Sequence, residues 1–192
     1  MTEKFVLDPL SYYNPEAFAF PAIAQSFADA GSIDPSSFYL ILDWKSSRSR
    51  TRHLLRLTAI SGTFNAAVAN IATDLTNSES PEQRLEVLLN KWRFQLPTAT
   101  AILAILYPKV FTIYDIRVCN ALGDFHQLGY RKWERPTSWV EYERFVDAVR
   151  QNAPDCLSLR DCDRWLWGKD KQKTLQSELE SLMVVAGNGS ND

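Results

Sequence analysis

The chain has 192 residues, of which 45% are hydrophobic, and its formal net charge is −2. This length fits a single domain, and the near balance of charge excludes a uniformly basic protein. No run approaches the roughly 18 consecutive apolar residues of a membrane span, and no basic segment precedes an apolar one near the N-terminus, so we expect a cytoplasmic protein without a membrane partner. Three widely spaced cysteines favour reduced thiols and form no metal-binding pattern.

A basic segment, KSSRSRTRHLLR at 45–56, interrupts an otherwise acidic chain. It contains no acid and five cations, which are Lys45, Arg48, Arg50, Arg52 and Arg56. Four of them recur at steps of three and four residues, which places them on one face if the segment is helical. The segment indicates either a docking face for a polyanion or a solvated helix face with partners inside the fold.

Capping signals and apolar periodicity predict a series of helices. Asn14 and Asp34 each provide an N-cap residue that is followed by proline at the first helical position. Apolar residues recur with a helical period over 57–75, and Gly62 bends or splits that helix. Because no alternating strand pattern is present, we predict an all-α fold.

Two short helices at 81–92 and 97–106 are joined by about four residues and form an αα-hairpin. The stretch KVFTIY that follows is expected to be an extended connector. A third helix runs from Asp115 to Leu122 and ends at Gly123. From its position alone, Asp115 either caps this helix or carries out chemistry.

The stretch LPTATAILAILYPKVFTIYDIRVCNAL resembles the helix-hairpin-helix superfamily of DNA glycosylases. Members carry a hairpin of the form LPGVG, a helix of small residues, and a loop that ends in an acid, as in VDTHV or VDVHV. Ala99, Ala101 and Ala104 correspond to the small-residue helix, and Asp115 to the acid. The resemblance covers about 80–125, and the later SLRDCDRWLWG is similar to a C-terminal helix of uncharacterised bacterial members.

The resemblance implies two helical lobes with a cleft between them and a single glycosylase-like domain at 1–186. The composition of AGNGSND predicts a disordered tail at 187–192. The resemblance also implies that Asp115 is the catalytic residue. After the base is flipped out of the duplex, an ionised carboxylate stabilises the oxocarbenium-like sugar and activates water.

The base pocket and the hairpin supply the other candidate site residues. Tyr114 adjoins Asp115 and Trp44 adjoins the basic segment, so both are expected at the base pocket, as is Arg117. Where the superfamily has Gly-x-Gly, this chain has Arg93, Phe94 and Gln95, so side chains are expected to replace the backbone phosphate cradle. The hairpin residues expected to contact DNA are Lys91, Arg93, Phe94, Gln95 and Thr98, with Phe94 either a wedge or a packing residue.

Glu86 stands where bifunctional members have a lysine nucleophile, so we expect base removal without strand cleavage. The dispersed cysteines do not fit an iron–sulfur cluster, and we expect no cofactor or metal. The predicted function is therefore a monomeric, monofunctional glycosylase that acts on double-stranded DNA, as a bacterial nucleoid-associated protein in DNA repair or in antiviral defence. Two alternatives remain open: a helix-hairpin-helix DNA-binding protein without catalysis, and an α-helical protein-interaction domain.

Overall fold

The computed structural model describes residues 8–130, 132–134 and 136–188, with side chains described up to 183. Within these ranges the chain forms eleven α-helices, one π-helical turn and one 3₁₀ turn, and no strand. The prediction of an all-α fold is therefore confirmed.

The first half of the chain contains six helices. Asn14 and Asp34 cap two of them, since their side-chain oxygens accept hydrogen bonds from the backbone N–H of Ala17 (3.3 Å) and Ser37 (2.9 Å). Gly62, with φ of 80°, separates the fifth helix from the sixth, as its position predicted. The bounds are α1 Pro9–Tyr13, α2 Pro15–Phe18, α3 Phe20–Ala30, α4 Pro35–Ser46, α5 Arg50–Ser61 and α6 Phe64–Asn77.

The basic segment is divided between two helices. Lys45 belongs to the last turn of α4, whereas Arg52 and Arg56 belong to α5, and residues 47–49 interrupt the helical path between them. One continuous basic helix face required a single helix over this segment, and that condition is not met because 47–49 are not helical.

The second half of the chain contains the predicted hairpin and the helices that follow it. The hairpin's first helix begins after Ser80, whose hydroxyl accepts a hydrogen bond from the backbone N–H of Gln83 (3.2 Å). The bounds are α7 Pro81–Glu86, the π turn Val87–Lys91, α8 Leu96–Leu106, α9 Ile116–Leu122, the 3₁₀ turn His126–Gly129, α10 Thr137–Gln151 and α11 Leu159–Asn188. Of the predicted tail, 187–188 are the last residues of α11, and 189–192 lie outside the described residues.

Helix α8 is the centre of the core. Its residues from Thr98 to Leu106 are all buried, and α3, α4 and α7 pack against it. Helix α11 packs on α9 and α10. No helix in the described ranges combines the length and hydrophobicity that a bilayer span requires.

The predicted connector after α8 has no regular secondary structure over 111–115, where 111–114 are buried and Asp115 has an extended backbone (φ −143°, ψ 142°). The Tyr142 hydroxyl of α10 donates a hydrogen bond to the Thr112 carbonyl oxygen (2.8 Å) and accepts one from the Thr112 N–H (3.3 Å). These bonds satisfy backbone groups that the core would otherwise leave unpaired. They also fix the path of the chain that delivers Asp115 to the start of α9.

Candidate functional site

Asp115 is the N-cap residue of α9 and also carries an ion pair. Its Oδ1 accepts a hydrogen bond from the backbone N–H of Arg117 (3.1 Å), as the capping prediction required. Its Oδ2 lies 2.8 Å from Nζ of Lys45, which reaches it from the end of α4. Since the Lys45 and Asp115 side chains are 13% and 25% exposed, the pair is partly shielded from solvent but accessible.

This ion pair forms part of the wall of a cavity of about 380 Å³. The cavity combines two indole rings with three cations and three carboxylates, an unusual density of charge for a partly enclosed space. Its lining residues are Glu16, Trp44, Lys45, Ile113, Asp115, Val118, Arg160, Asp163, Arg164 and Trp167.

Asp163 is the most deeply buried charged residue of this cavity, with its side chain 3% exposed. Its Oδ2 accepts hydrogen bonds from the Thr112 hydroxyl (2.8 Å) and from the Ile113 N–H (3.1 Å), and its Oδ1 contacts the Arg160 guanidinium. Burial raises the pKa of Asp163, and the Arg160 charge opposes that rise. The contacts tie the extended stretch before Asp115 to α11, so Asp163 positions the catalytic candidate.

The two tryptophans lie on opposite elements of the cavity wall. Trp44 of α4 is held edge-to-face by Phe20 (5.1 Å between centroids) and has the Arg160 guanidinium 5.6 Å from its ring. Trp167 of α11 is 42% exposed, with the Arg117 guanidinium 5.3 Å from its ring. Trp44 thus lines the cavity, and Arg117 borders it through Trp167.

Arg117 has a carboxylate partner in addition to Trp167. Its Nη1 lies 2.8 Å from Oδ2 of Asp170 in α11. This ion pair holds the start of α9 against α11. The Arg117 guanidinium therefore stabilises the packing of these two helices and also lies at the border of the cavity.

Tyr114, which was predicted at the base pocket, does not line this cavity. Successive side chains of an extended segment point to opposite sides. Ile113 and Asp115 face the cavity, whereas the ring of Tyr114 is 4% exposed and faces the opposite side. The Tyr114 hydroxyl donates to the Phe125 carbonyl oxygen (2.9 Å), and burial raises the pKa of that hydroxyl.

Two segments that are far apart in the sequence meet at the tip of the hairpin. Burial lowers the pKa of Arg56 of α5, and the nearby charges of Arg93 in the hairpin and Arg52 in α5 lower it further. The Arg56 guanidinium lies 5.0 Å from the Phe94 ring centroid, and its Nη2 lies 2.9 Å from Nδ1 of His53. We call Arg52, Arg56 and Arg93 the arginine cluster.

Within the part of the chain that the structure describes, the arginine cluster has no ion pair with a carboxylate. The Arg56 Nε is buried and has no hydrogen-bond acceptor there. His53, beneath the cluster, has its pKa lowered to about 4, mainly by burial and further by Arg56 and Arg52. Positive charge is therefore concentrated here without compensation from the described residues.

The other predicted DNA-contacting cations are arranged differently. Lys45 pairs with Asp115, Arg50 with Asp43, and Lys91 with Asp74, where Nζ lies 2.8 Å from Oδ1. These three cations therefore have carboxylate partners inside the fold and are not left free for a polyanion. Arg48, in the break at 47–49, is exposed.

The hairpin buries two of its predicted DNA contacts. Phe94 is 3% exposed and packs against Phe38 and His53, so it is a packing residue and not a wedge. Thr98 is 5% exposed, and its hydroxyl lies 3.0 Å from that of Ser46, so its prediction as a DNA contact is wrong. Both side chains point inward because they close the hairpin onto α4 and α5.

Arg93 and Gln95 are exposed at the hairpin tip. Arg93 has φ of 55°, in the left-handed region that favours glycine, whereas Gln95 has φ of −74°. The turn therefore keeps a glycine-like backbone conformation at position 93 even though the glycine is absent.

Sequence reasoning missed most of the α11 side of the cavity. Four of the missed residues, Arg160, Asp163, Arg164 and Trp167, are spaced three, one and three residues apart, which is one face of a helix. That spacing within SLRDCDRWLWG could have identified them. Glu16, which is 3.0 Å from Arg160, carried no comparable signal.

No three His, Cys, Asp or Glu side chains come together as a metal-binding cluster in the described part of the chain. Comparisons with protein-family models, with curated proteins and with solved structures gave no match.

Proposed function

We propose that this protein is a monofunctional DNA glycosylase that hydrolyses the N-glycosidic bond of a flipped, damaged or modified base, with Asp115 as the catalytic carboxylate. The observation that carries the proposal is the position of Asp115, which lies at a helix N-terminus in the wall of a cavity with two tryptophans. The order of hairpin, extended stretch and acid is the one that the superfamily resemblance implies.

In this proposal the cavity is the base-binding cleft between two lobes. One lobe contributes Trp44 and Lys45 from α4, and the other contributes Asp115 and Trp167 from α9 and α11. A flipped base would stack on an indole ring, which leaves the sugar beside Asp115. The carboxylate would then stabilise the positive charge that develops on the sugar and orient the attacking water.

The arginine cluster supports duplex DNA as the substrate. Three guanidinium groups without a described carboxylate partner suit phosphate, which accepts hydrogen bonds from arginine in a bidentate manner. The Ser46–Thr98 hydrogen bond joins the hairpin to the residue after Lys45, so the cluster and the cavity share a structural connection. Backbone phosphates bound at the cluster would hold the duplex next to the cavity.

Lys45, which the sequence argument assigned to DNA contact, also gives the cavity an amine. As an ammonium ion that donates to Asp115, it lacks the free electron pair that a Schiff base requires. The proposal therefore keeps base removal without strand cleavage, and Lys45 holds the carboxylate until substrate binds.

The test is excision from duplexes that carry damaged and hypermodified bases, followed by alkali to reveal abasic sites. With a substrate found, Asp115→Asn should slow excision by about 10²–10³-fold, since a preorganised electrostatic contact contributes ~3–4 kcal/mol to the barrier. DNA binding should be kept, because the substitution removes a negative charge. Asp155→Asn, at an exposed aspartate, is the matched control and should leave the rate unchanged. Full activity in Asp115→Asn would reduce Asp115 to a helix cap.

Borohydride trapping tests whether Lys45 only pairs with Asp115 or also forms a Schiff base with the sugar. Wild type should give alkali-labile sites without a spontaneous nick and without a covalent protein–DNA adduct. An adduct that forms in wild type and is lost in Lys45→Gln would replace the monofunctional mechanism with a lyase that uses this amine.

A DNA-binding protein without catalysis is the second candidate. It is favoured by the ion pair that occupies Asp115 and by the absence of the hairpin glycines. This candidate predicts salt-dependent DNA binding with no excision from any base in the panel. A protein-interaction domain would instead show no salt-dependent DNA binding.

A further inference from the structure

The C-terminal half of α11 presents an apolar stripe to solvent. Leu175, Leu179, Leu182 and Met183 are 49%, 58%, 69% and 67% exposed. At 3.6 residues per turn they share one face. That face is opposite Asp170, whose pairing with Arg117 marks the side of α11 that packs on α9.

A gap in the side chains continues this stripe toward the body of the protein. Gly168 lies on the same face, and a Cβ added there would meet no atom within 4 Å. Around it is an open groove of about 400 Å³, whose lining residues are Gly168, Lys171, Gln172, Leu175, Gln176 and Leu179. Trp165, one turn before Gly168, is 41% exposed and extends the apolar surface.

Two opposite charges flank the stripe on the same edge. Lys171 and Glu178 are seven residues apart, which is two helical turns. If a second copy of α11 lies antiparallel about a two-fold axis between these residues, Lys171 of each copy faces Glu178 of the other. A parallel pairing would not bring them together.

The same antiparallel register also matches the shapes. It sets Leu179 of one copy opposite the Gly168 gap of the other, and Leu182 opposite Trp165. Two copies of this single face therefore complement each other: Leu179 of one fits the Gly168 gap of the other, and Lys171 of one faces Glu178 of the other. Such self-complementarity is the property of an isologous two-fold interface. An apolar helical face with flanking charges is also the usual form of an antiparallel helix pair.

We propose that the exposed face of α11 binds a second copy of this chain in antiparallel orientation and forms a two-fold homodimer. The occupant follows from the charge order and the gap, both of which this chain supplies for itself. The dimer replaces the monomer that the sequence suggested, and it does not depend on the proposed glycosylase activity.

Sedimentation equilibrium of the full chain over micromolar concentrations is the first test, with a concentration-dependent dimer as the expected result. Gly168→Phe should weaken dimerisation at least tenfold, because the added side chain fills the gap and its Cβ has open space around it in the chain's own fold. Ser181→Phe adds the same bulk to an exposed position away from the stripe and should leave the dimer unchanged. Far-UV circular dichroism should show equal helix content in both variants.

Charge reversal tests the orientation. Lys171→Glu and Glu178→Lys should each weaken the dimer, since each places like charges opposite one another, and the double reversal should restore wild-type affinity. Failure of the double variant to recover would overturn the antiparallel pairing. A wild-type chain that sediments as a monomer at every concentration, or a stripe that captures only another protein, would overturn the proposal itself.

Discussion

Charge is concentrated in two regions of this molecule, the cavity and the arginine cluster, and they differ in how it is balanced. In the cavity, Lys45 pairs with Asp115, Arg160 with Glu16 and Asp163, and Arg164 with Glu16. In the arginine cluster, no carboxylate of the described residues forms an ion pair with any of the three guanidinium groups. Balanced charge stabilises the fold around a site, whereas unbalanced charge is available to an anion from outside.

The largest expected effect comes from breaking the balanced network. Asp163→Ala should lower the free energy of unfolding by about 3 kcal/mol, because it leaves the Thr112 hydroxyl and the Ile113 N–H without an acceptor and deprives Arg160 of one partner. Urea denaturation measures the loss. Asp147→Ala, which breaks the exposed pair with Arg150, is the control and should cost less than about 0.5 kcal/mol. Equal losses in the two variants would contradict a structural role for the buried network.

The second prediction uses pH to test the unbalanced region. The pKa of His53 is lowered to about 4 in the folded protein from its ordinary 6.5, so the folded state disfavours the charged imidazole. The stability that His53 contributes is fully present above about pH 6.5 and is lost as pH falls toward about 4. A pKa difference of this size corresponds to about 3 kcal/mol at most, so we expect the loss of unfolding free energy from this group to stay below that figure. In His53→Gln the free energy of unfolding should fall less steeply with decreasing pH over that interval. An unchanged slope would mean that another group causes the decline.

The third prediction compares unbalanced with balanced arginines directly. Neutralising two exposed members of the cluster, Arg52→Gln with Arg93→Gln, should reduce the slope of log affinity against log salt by roughly one to two units. Arg50→Gln, whose guanidinium already pairs with Asp43, should change the slope much less. Fluorescence anisotropy with a labelled duplex over a salt series makes the measurement. If Arg50→Gln reduces the salt slope more than the double variant does, then the lack of a carboxylate partner does not determine which arginines bind DNA.

The smallest expected effect concerns the hairpin backbone. Arg93→Gly should raise the free energy of unfolding by about 0.5–1 kcal/mol because it relieves a left-handed conformation. Gln95→Gly should lower it by a similar amount, because φ there is ordinary and glycine adds unfolded-state entropy. Thermal denaturation distinguishes the two signs. Weaker DNA binding by Arg93→Gly, despite its higher stability, would show that the side chain replaced the backbone cradle, whereas stronger binding would favour the non-catalytic alternative.

The local features of the chain could be predicted from the sequence alone. Asn14 and Asp34 cap helices as predicted, and Gly62 and Gly123 end them, because capping and left-handed termination depend on residues only a few positions apart. The capping role of Asp115 was predictable for the same reason, since its place directly before a helix is a local signal. The all-α class followed from the sum of such signals.

Which charges meet depends on the tertiary structure. Lys45 and Asp115 are 70 positions apart, and Arg160 and Glu16 are 144 apart, so no periodic pattern in the sequence could pair them. The burial of Tyr114, Phe94 and Thr98 was decided by the side of the backbone from which each side chain leaves and by what packs there. Cations around the cavity are paired, whereas the arginines at the hairpin tip have no carboxylate partner among the described residues. This division arises from long-range packing, which a linear sequence does not specify locally.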